Sequence, residues 1–134
     1  MNVFTYGSLV FPEVWMAVTR LSCRKEEAKL HGYQNRRVKD ATFPGILHTG
    51  RKEDVVEGLL YLDVSAEALE RLDRFEDTFY DRQTVEVSGG DSTFAAEAYV
   101  VPAEQAHVLS NKIWDRGKFE RDHLKDFLVR CCGY

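Results

Sequence analysis

The chain has 134 residues, 44% of them apolar and 30% charged. That is the length of one domain, read as a single unit over residues 1–134, and the balance excludes a disordered or fibrous chain. Eighteen Lys and Arg against 22 Asp and Glu give a net charge of −4, which argues against a nucleic-acid partner because phosphate tracking needs a basic face.

The first predicted element is a short strand from Asn2 to Tyr6, stopped by Gly7-Ser8, a turn pair. Phe11-Pro12-Glu13 then opens a short helix, with proline in the first turn where its missing N–H costs nothing. Val14, Trp15 and Val18 give that helix an apolar side. Glu26 to Lys39 reads as two extended pieces on either side of Gly32, and Ile46-Leu47 as another after Pro44-Gly45. The clearest strand is Val55 to Val64, whose nearly continuous apolar run predicts a central position buried on both faces. Gly58 within it predicts a bulge or a close backbone approach.

Ser65 is placed to cap a helix from Ala66 to about Phe75. Strands over Arg82–Val87 and Thr93–Val101 follow, joined by a hairpin loop at Ser88-Gly89-Gly90-Asp91-Ser92. A last helix is predicted from about Lys118 to Cys131, with Leu124, Phe127, Leu128 and Cys131 in a buried stripe. Trp114, Phe119 and Phe127 are expected to pack beneath it. Strands outnumber helices and often follow one another directly, which predicts an α+β fold with a largely antiparallel or mixed sheet of about six strands. In so small a chain, closure into a barrel would remove exposed edges.

No apolar run approaches the roughly 20 residues of a membrane span. Met1-Asn2-Val3-Phe4-Thr5-Tyr6 has neither the basic nor the long apolar stretch of an export signal, so the expected location is the cytoplasm. Cys23, Cys131 and Cys132 form an odd set with two adjacent members, a poor disulfide framework, and are expected as reduced thiols. His31, His48, His107 and His123 are scattered without metal-ligand spacing, and His123 with Cys131 does not make a tetrahedral site. A metal is not expected.

Three local patterns bear on chemistry. On a helical wheel, Ala66, Ala68, Leu69, Leu72 and Phe75 form one apolar side, and Glu76 falls near its middle, at or just past the helix end. A carboxylate aimed at the core must be paired, neutralised or working. The competing reading is a helix that stops before Glu76 and turns the side chain out to water. The turn Tyr6-Gly7-Ser8-Leu9, between a strand and a helix, can gather backbone N–H groups into an anion site, or be an ordinary connection. Tyr80 can donate to Glu76 or to a ligand, and Arg82 can hold a carboxylate, or the two are a core aromatic and a strand-surface charge pair. Arg36-Arg37 with Lys39 reads as a solvated strand face. No G-x-S-x-G elbow, phosphate loop or G-x-G-x-x-G is present, and nothing marks Cys23 as a nucleophile.

Together and in order, Val3-Phe4-Thr5-Tyr6-Gly7-Ser8-Leu9, Gly32-Tyr33 through Arg36-Arg37-Val38, Phe43-Pro44-Gly45-Ile46, Val56-Glu57-Gly58-Leu59-Leu60-Tyr61, Leu72-Asp73-Arg74-Phe75-Glu76, Tyr80-Asp81-Arg82 and Trp114-Asp115 resemble the gamma-glutamylcyclotransferase superfamily. The chain is most similar to its plant avirulence-induced-gene-like and gamma-glutamylamine cyclotransferase branch. Leu9 stands where the dipeptide-acting branch has Asn, and Val10 where many small-branch members have a basic residue. The resemblance implies a small, mixed, mainly antiparallel β-barrel flanked by helices. It implies Glu76 as catalytic acid/base, with Tyr6, Gly7, Ser8, Leu9 and Tyr80 binding substrate and Tyr80 orienting Glu76. The implied partner is a small gamma-glutamyl molecule, handled by a monomer or weak dimer without metal or cofactor. The rival expectation is a binding module that keeps the pocket and does no chemistry.

Overall fold

A computed structural model describes residues 1–132, with backbone alone at Cys132. Five strands close a barrel in the order β1-β5-β2-β6-β7: β1 is Val3–Thr5, β2 Lys25–His31, β5 Val55–Tyr61, β6 Asp81–Gly89 and β7 Ser92–Val100. Pairings are antiparallel except β1 with β7, which run parallel and meet at Val3 and Glu97. A second, antiparallel sheet of β3 (Tyr33–Val38), β4 (Pro44–His48) and β8 (Leu109–Ile113) runs in the order β4-β3-β8. Around them lie α1 (Pro12–Thr19), α2 (Ala66–Phe75), α3 (Arg116–Asp122) and α4 (Leu124–Cys132), with 3-10 turns at Ser8–Val10 and Ala103–Val108. The α+β barrel class expected from the sequence is the observed one, with eight strands among the described residues, divided between two sheets, in place of about six in one.

Period-two alternation along the barrel strands builds two cores, and a third, smaller cluster of Val38, Val101 and Leu109 sits at the second sheet. Phe4, Leu30, Val56, Leu60, Val87 and Ala98 pack together with Ile46 of the second sheet. Val3 and Tyr61, on the opposite face of the same strands, meet Val14, Trp15, Leu69, Leu72 and Phe119 from the helices. The Trp15 and Tyr61 rings stack with centroids 3.6 Å apart. Apolar area removed from water on both faces holds β1, a strand of only three residues.

β5 lies between β1 and β2 and is buried on both faces only at its C-terminal end, where Leu60 and Tyr61 enter different cores; its N-terminal half is not. Val55 and Glu57 are exposed while Val56 is buried, so in that half the apolar run hides an ordinary two-sided strand. The close approach at Gly58 is real: a Cβ there would stand 2.0 Å from the Thr5 carbonyl oxygen. Gly58→Ala is expected to cost about 2–3 kcal/mol by forcing β1 off β5, read as a lower urea midpoint with an unchanged slope.

Other details depart from expectation. The β6–β7 hairpin pairs through Gly89 and Ser92, leaving a two-residue turn in place of a five-residue loop. Arg36 and Arg37 are half-buried because β8 pairs alongside β3. The last helix is two: α3, capped by Asp115 accepting from the Lys118 N–H at 3.0 Å, ends at His123, whose φ of −130° is not helical. The bend lets both Phe119 and Leu124 reach buried positions. The predicted stripe then fades, with Phe127 and Leu128 half-buried and Cys131 exposed. Cys23 is a free thiol, whereas Cys131 is disulfide-bonded, which corrects the expectation of three reduced cysteines. The side chain of Cys132 lies outside the described residues.

Candidate active site

The turn after β1 is held by its carbonyl groups. Asn35 Nδ2 donates to the Tyr6 carbonyl at 3.4 Å and the Tyr61 hydroxyl to the Leu9 carbonyl at 3.0 Å. The Gly7 and Ser8 carbonyls accept from Val10 and Phe11 as the 3-10 turn forms. Pro44 packs so closely that a Cβ on Gly7 would meet its Cγ at 2.8 Å, so only glycine fits between β1 and β4. No described residue accepts a hydrogen bond from the N–H groups of Gly7, Ser8 or Leu9. A fixed turn with unspent amide donors is a concave site for negative charge.

Glu76 is the residue at which α2 stops. Its backbone is extended (φ −75°, ψ 146°) and its N–H donates to the Leu72 carbonyl at 3.1 Å. The helix does end before Glu76, as the competing reading had it, but the chain then turns so that the side chain lines a cavity. No described residue donates to its carboxyl. Loss of water around that group, reinforced by Asp77 and then Asp73, pushes its pKa up to about 8. The residue as a whole keeps partial exposure, consistent with a carboxyl group withdrawn beneath an opening.

The cavity holds about 200 Å³ and is lined by Tyr6, Gly7, Ser8, Leu9, Glu76 and Tyr80, all six positions singled out in the sequence. One of them behaves differently from expectation. The Tyr80 hydroxyl donates to the Pro44 carbonyl, so its proton is not available to orient Glu76. Burial, then the neighbouring Glu76 and Asp77, pushes the pKa of Tyr80 well above that of a free phenol, and it stays neutral.

Tyr99, which sequence reasoning missed, ties the two halves together. Its carbonyl accepts from the Tyr6 hydroxyl at 2.5 Å, and its own hydroxyl donates to Asp73 Oδ1 at 2.7 Å, three residues before Glu76. Arg82 Nε reaches the same oxygen at 2.9 Å while its Nη1 holds Glu97 Oε1 at 2.7 Å. The carboxylates held by Arg82 are therefore the protein's own. Tyr99→Phe keeps the ring and removes the bond to Asp73. The expected loss is about 1.5 kcal/mol by denaturant melts, a size fitting a hydrogen bond to a charged, partly exposed group.

Phe43, Phe75, Phe127 and Cys131 also line the cavity. Phe127 was read only as packing, which it also does, edge-to-face with Phe119 at 5.6 Å. Among the described residues no group of His, Cys, Asp and Glu is placed to hold a metal ion, and no helix is long and apolar enough to cross a membrane.

Residues 3–118 match the family model described as Gamma-glutamyl cyclotransferase, AIG2-like. The chain belongs to that family. AIG2-like protein C of Arabidopsis thaliana is 32% identical over 130 residues, covering 96% of this chain and 74% of the relative. A solution structure of an Arabidopsis thaliana protein superposes with a TM-score of 0.72 at 28% identity, covering 96% of this chain and 78% of the other. A structure titled Gamma-glutamyl cyclotransferase superposes with a TM-score of 0.65 at 17% identity, over 75% of this chain and 66% of that one, a likeness of fold alone. Within this AIG2-like chain, the turn, the acid and the barrel all belong to the matched segment.

Proposed function

We propose that the protein is a gamma-glutamylcyclotransferase-like enzyme in which Glu76 is the general acid/base. The substrate's α-amine attacks its own γ-carbonyl carbon, a C–N bond forms, and the amide C–N bond to the leaving amine breaks. The products are 5-oxoproline and a free amine. Because the nucleophile belongs to the substrate, no serine, cysteine or metal is needed for the attack. Intramolecular closure supplies much of the rate, as well-oriented effective molarities reach about 10⁵–10⁸ M.

The observation that carries this reading is a carboxyl with no partner among the described residues, in the same cavity as a turn whose amide donors no described residue takes up. A free α-amine titrates near pH 8, close to the value of about 8 for Glu76, so a proton passes between them at little cost. Glu76 accepts the amine's proton and delivers it to the leaving nitrogen. The N–H groups of Gly7, Ser8 and Leu9 hold the substrate carboxylate or the oxyanion, and the neutral Tyr80 forms part of the wall. In this reading the partner is a small gamma-glutamyl molecule in the cytoplasm, and a monomer or weak dimer suffices because one chain supplies the whole cavity.

The test is a panel of gamma-glutamyl amines and gamma-glutamyl dipeptides, followed by released 5-oxoproline. Turnover is expected, with kcat/KM rising as pH increases toward about 8 as Glu76 becomes a base. A panel without any 5-oxoproline, but with saturable binding, would replace the enzyme by the binding module.

A further inference from the structure

We infer that the leaving amine of the substrate is neutral and apolar, bearing an aromatic or bulky aliphatic group and no carboxylate. The inference rests on the ring-closing reading and narrows it. Its first support is the opening of the cavity. Phe43 before β4, Phe75 at the end of α2 and Phe127 on α4 come from three separate elements, and each lines the cavity while remaining half-buried. Phe75 and Phe127 meet edge-to-face at 6.3 Å. These rings leave apolar carbon in contact with water, and a ligand group that covers them gains in proportion to the area removed.

The second support is charge. The described lining contains no Lys, Arg or His, and its only carboxylic acids are Glu76 and Asp77. Arg82, the guanidinium nearest in the network, is held by Asp73 and Glu97. The amide donors of the turn serve the glutamyl end. A carboxylate on the leaving group therefore gives up water against apolar walls with no counter-ion to replace it, which is costly.

A cationic leaving group gains little in exchange. Asp77 is exposed, and an ion pair in that setting contributes weakly. Glu76 is mostly uncharged below about pH 8. Three aromatic walls and no usable ion pair favour a neutral occupant over either charged one.

Three substrates separate these cases: gamma-glutamyl-phenethylamide, gamma-glutamylphenylalanine and the mono-gamma-glutamyl amide of 1,5-diaminopentane. The first two differ by one carboxylate, and the third replaces the ring by a cation. By 5-oxoproline release, kcat/KM for the phenethylamide is expected to exceed that for gamma-glutamylphenylalanine about 100-fold and that for the diamine compound about 10-fold. Phe43→Leu and Phe127→Leu, which keep an apolar side chain, should each shrink the advantage over the diamine compound about threefold or more, because only the ring-bearing substrates cover these walls. Binding of the same three compounds to Glu76→Gln by calorimetry should follow the same order. An equal or reversed order among substrates that do turn over overturns this inference and leaves ring closure standing. No 5-oxoproline from any of them, with the binding order kept, overturns ring closure and supports the apolar preference. Neither turnover nor binding overturns both.

Discussion

Glu76→Gln is expected to fold normally and to form 5-oxoproline about 1000-fold more slowly than the wild type. Glutamine matches glutamate in shape, so the wall of the cavity, the end of α2 and the turn at Gly7–Leu9 stay in place. What it cannot do is accept the proton of the α-amine or return it to the leaving nitrogen. The residual rate would come from the amide donors and from holding the substrate bent. The check is a steady-state kcat for purified variant and wild type, with circular dichroism spectra that overlay. Equal kcat values would remove Glu76 from the mechanism.

The same substitution is expected to stabilise the chain at neutral and alkaline pH. The Glu76 carboxyl has a pKa of about 8 in the folded protein against an ordinary 4.5. The folded state therefore keeps a proton that the unfolded chain releases as pH rises past 4.5. Stability tied to this proton is complete below about pH 4.5 and declines as pH rises, until both states have lost the proton above about pH 8. Glutamine has no such proton, so the variant pulls ahead through this window. The full linkage of about 1.4 kcal/mol per pKa unit is reduced by the residue's partial exposure, leaving on the order of 3–4 kcal/mol at pH 9. Urea melts of both proteins at pH 4.5 and pH 9 test it, and a stability difference that does not widen with pH would refute it. An acid that is costly to ionise at its site is what a working carboxyl looks like thermodynamically.

The parts of the fold that were legible in the sequence have local causes. Gly7-Ser8 ends a strand, Ser65 caps a helix by accepting from the Ala68 N–H at 3.2 Å, and the apolar period of α2 matches its boundaries at both ends. Glu76 shows how a correct placement can have a different cause. The wheel put it near the middle of the apolar side, at or just past the helix end, by helical angle alone, whereas an extended backbone at Glu76 sets its direction once the helix has ended.

The remainder depended on partners distant in sequence. Tyr99 sits in Ala98-Tyr99-Val100-Val101, indistinguishable from core until β7 is set against β1 and α2. Phe43 and Phe127 reach the cavity from segments whose local patterns say only loop and amphipathic helix. β8 escaped notice because Leu109-Ser110-Asn111-Lys112-Ile113 is an edge strand with polar residues and one bulged partner. The bend at His123 has no proline or glycine to announce it.

The bond from Tyr6 to Tyr99 joins positions 93 residues apart, and the one from Tyr80 to Pro44 spans 36. No contiguous stretch of the chain contains enough of the cavity walls to form them alone, and loop-closure entropy is overcome only when the barrel assembles as a unit. Catalytic competence should thus be all-or-none: in rising denaturant, loss of turnover and loss of backbone order would trace one curve. Half-length fragments would be inert, with no weakened remnant of the site.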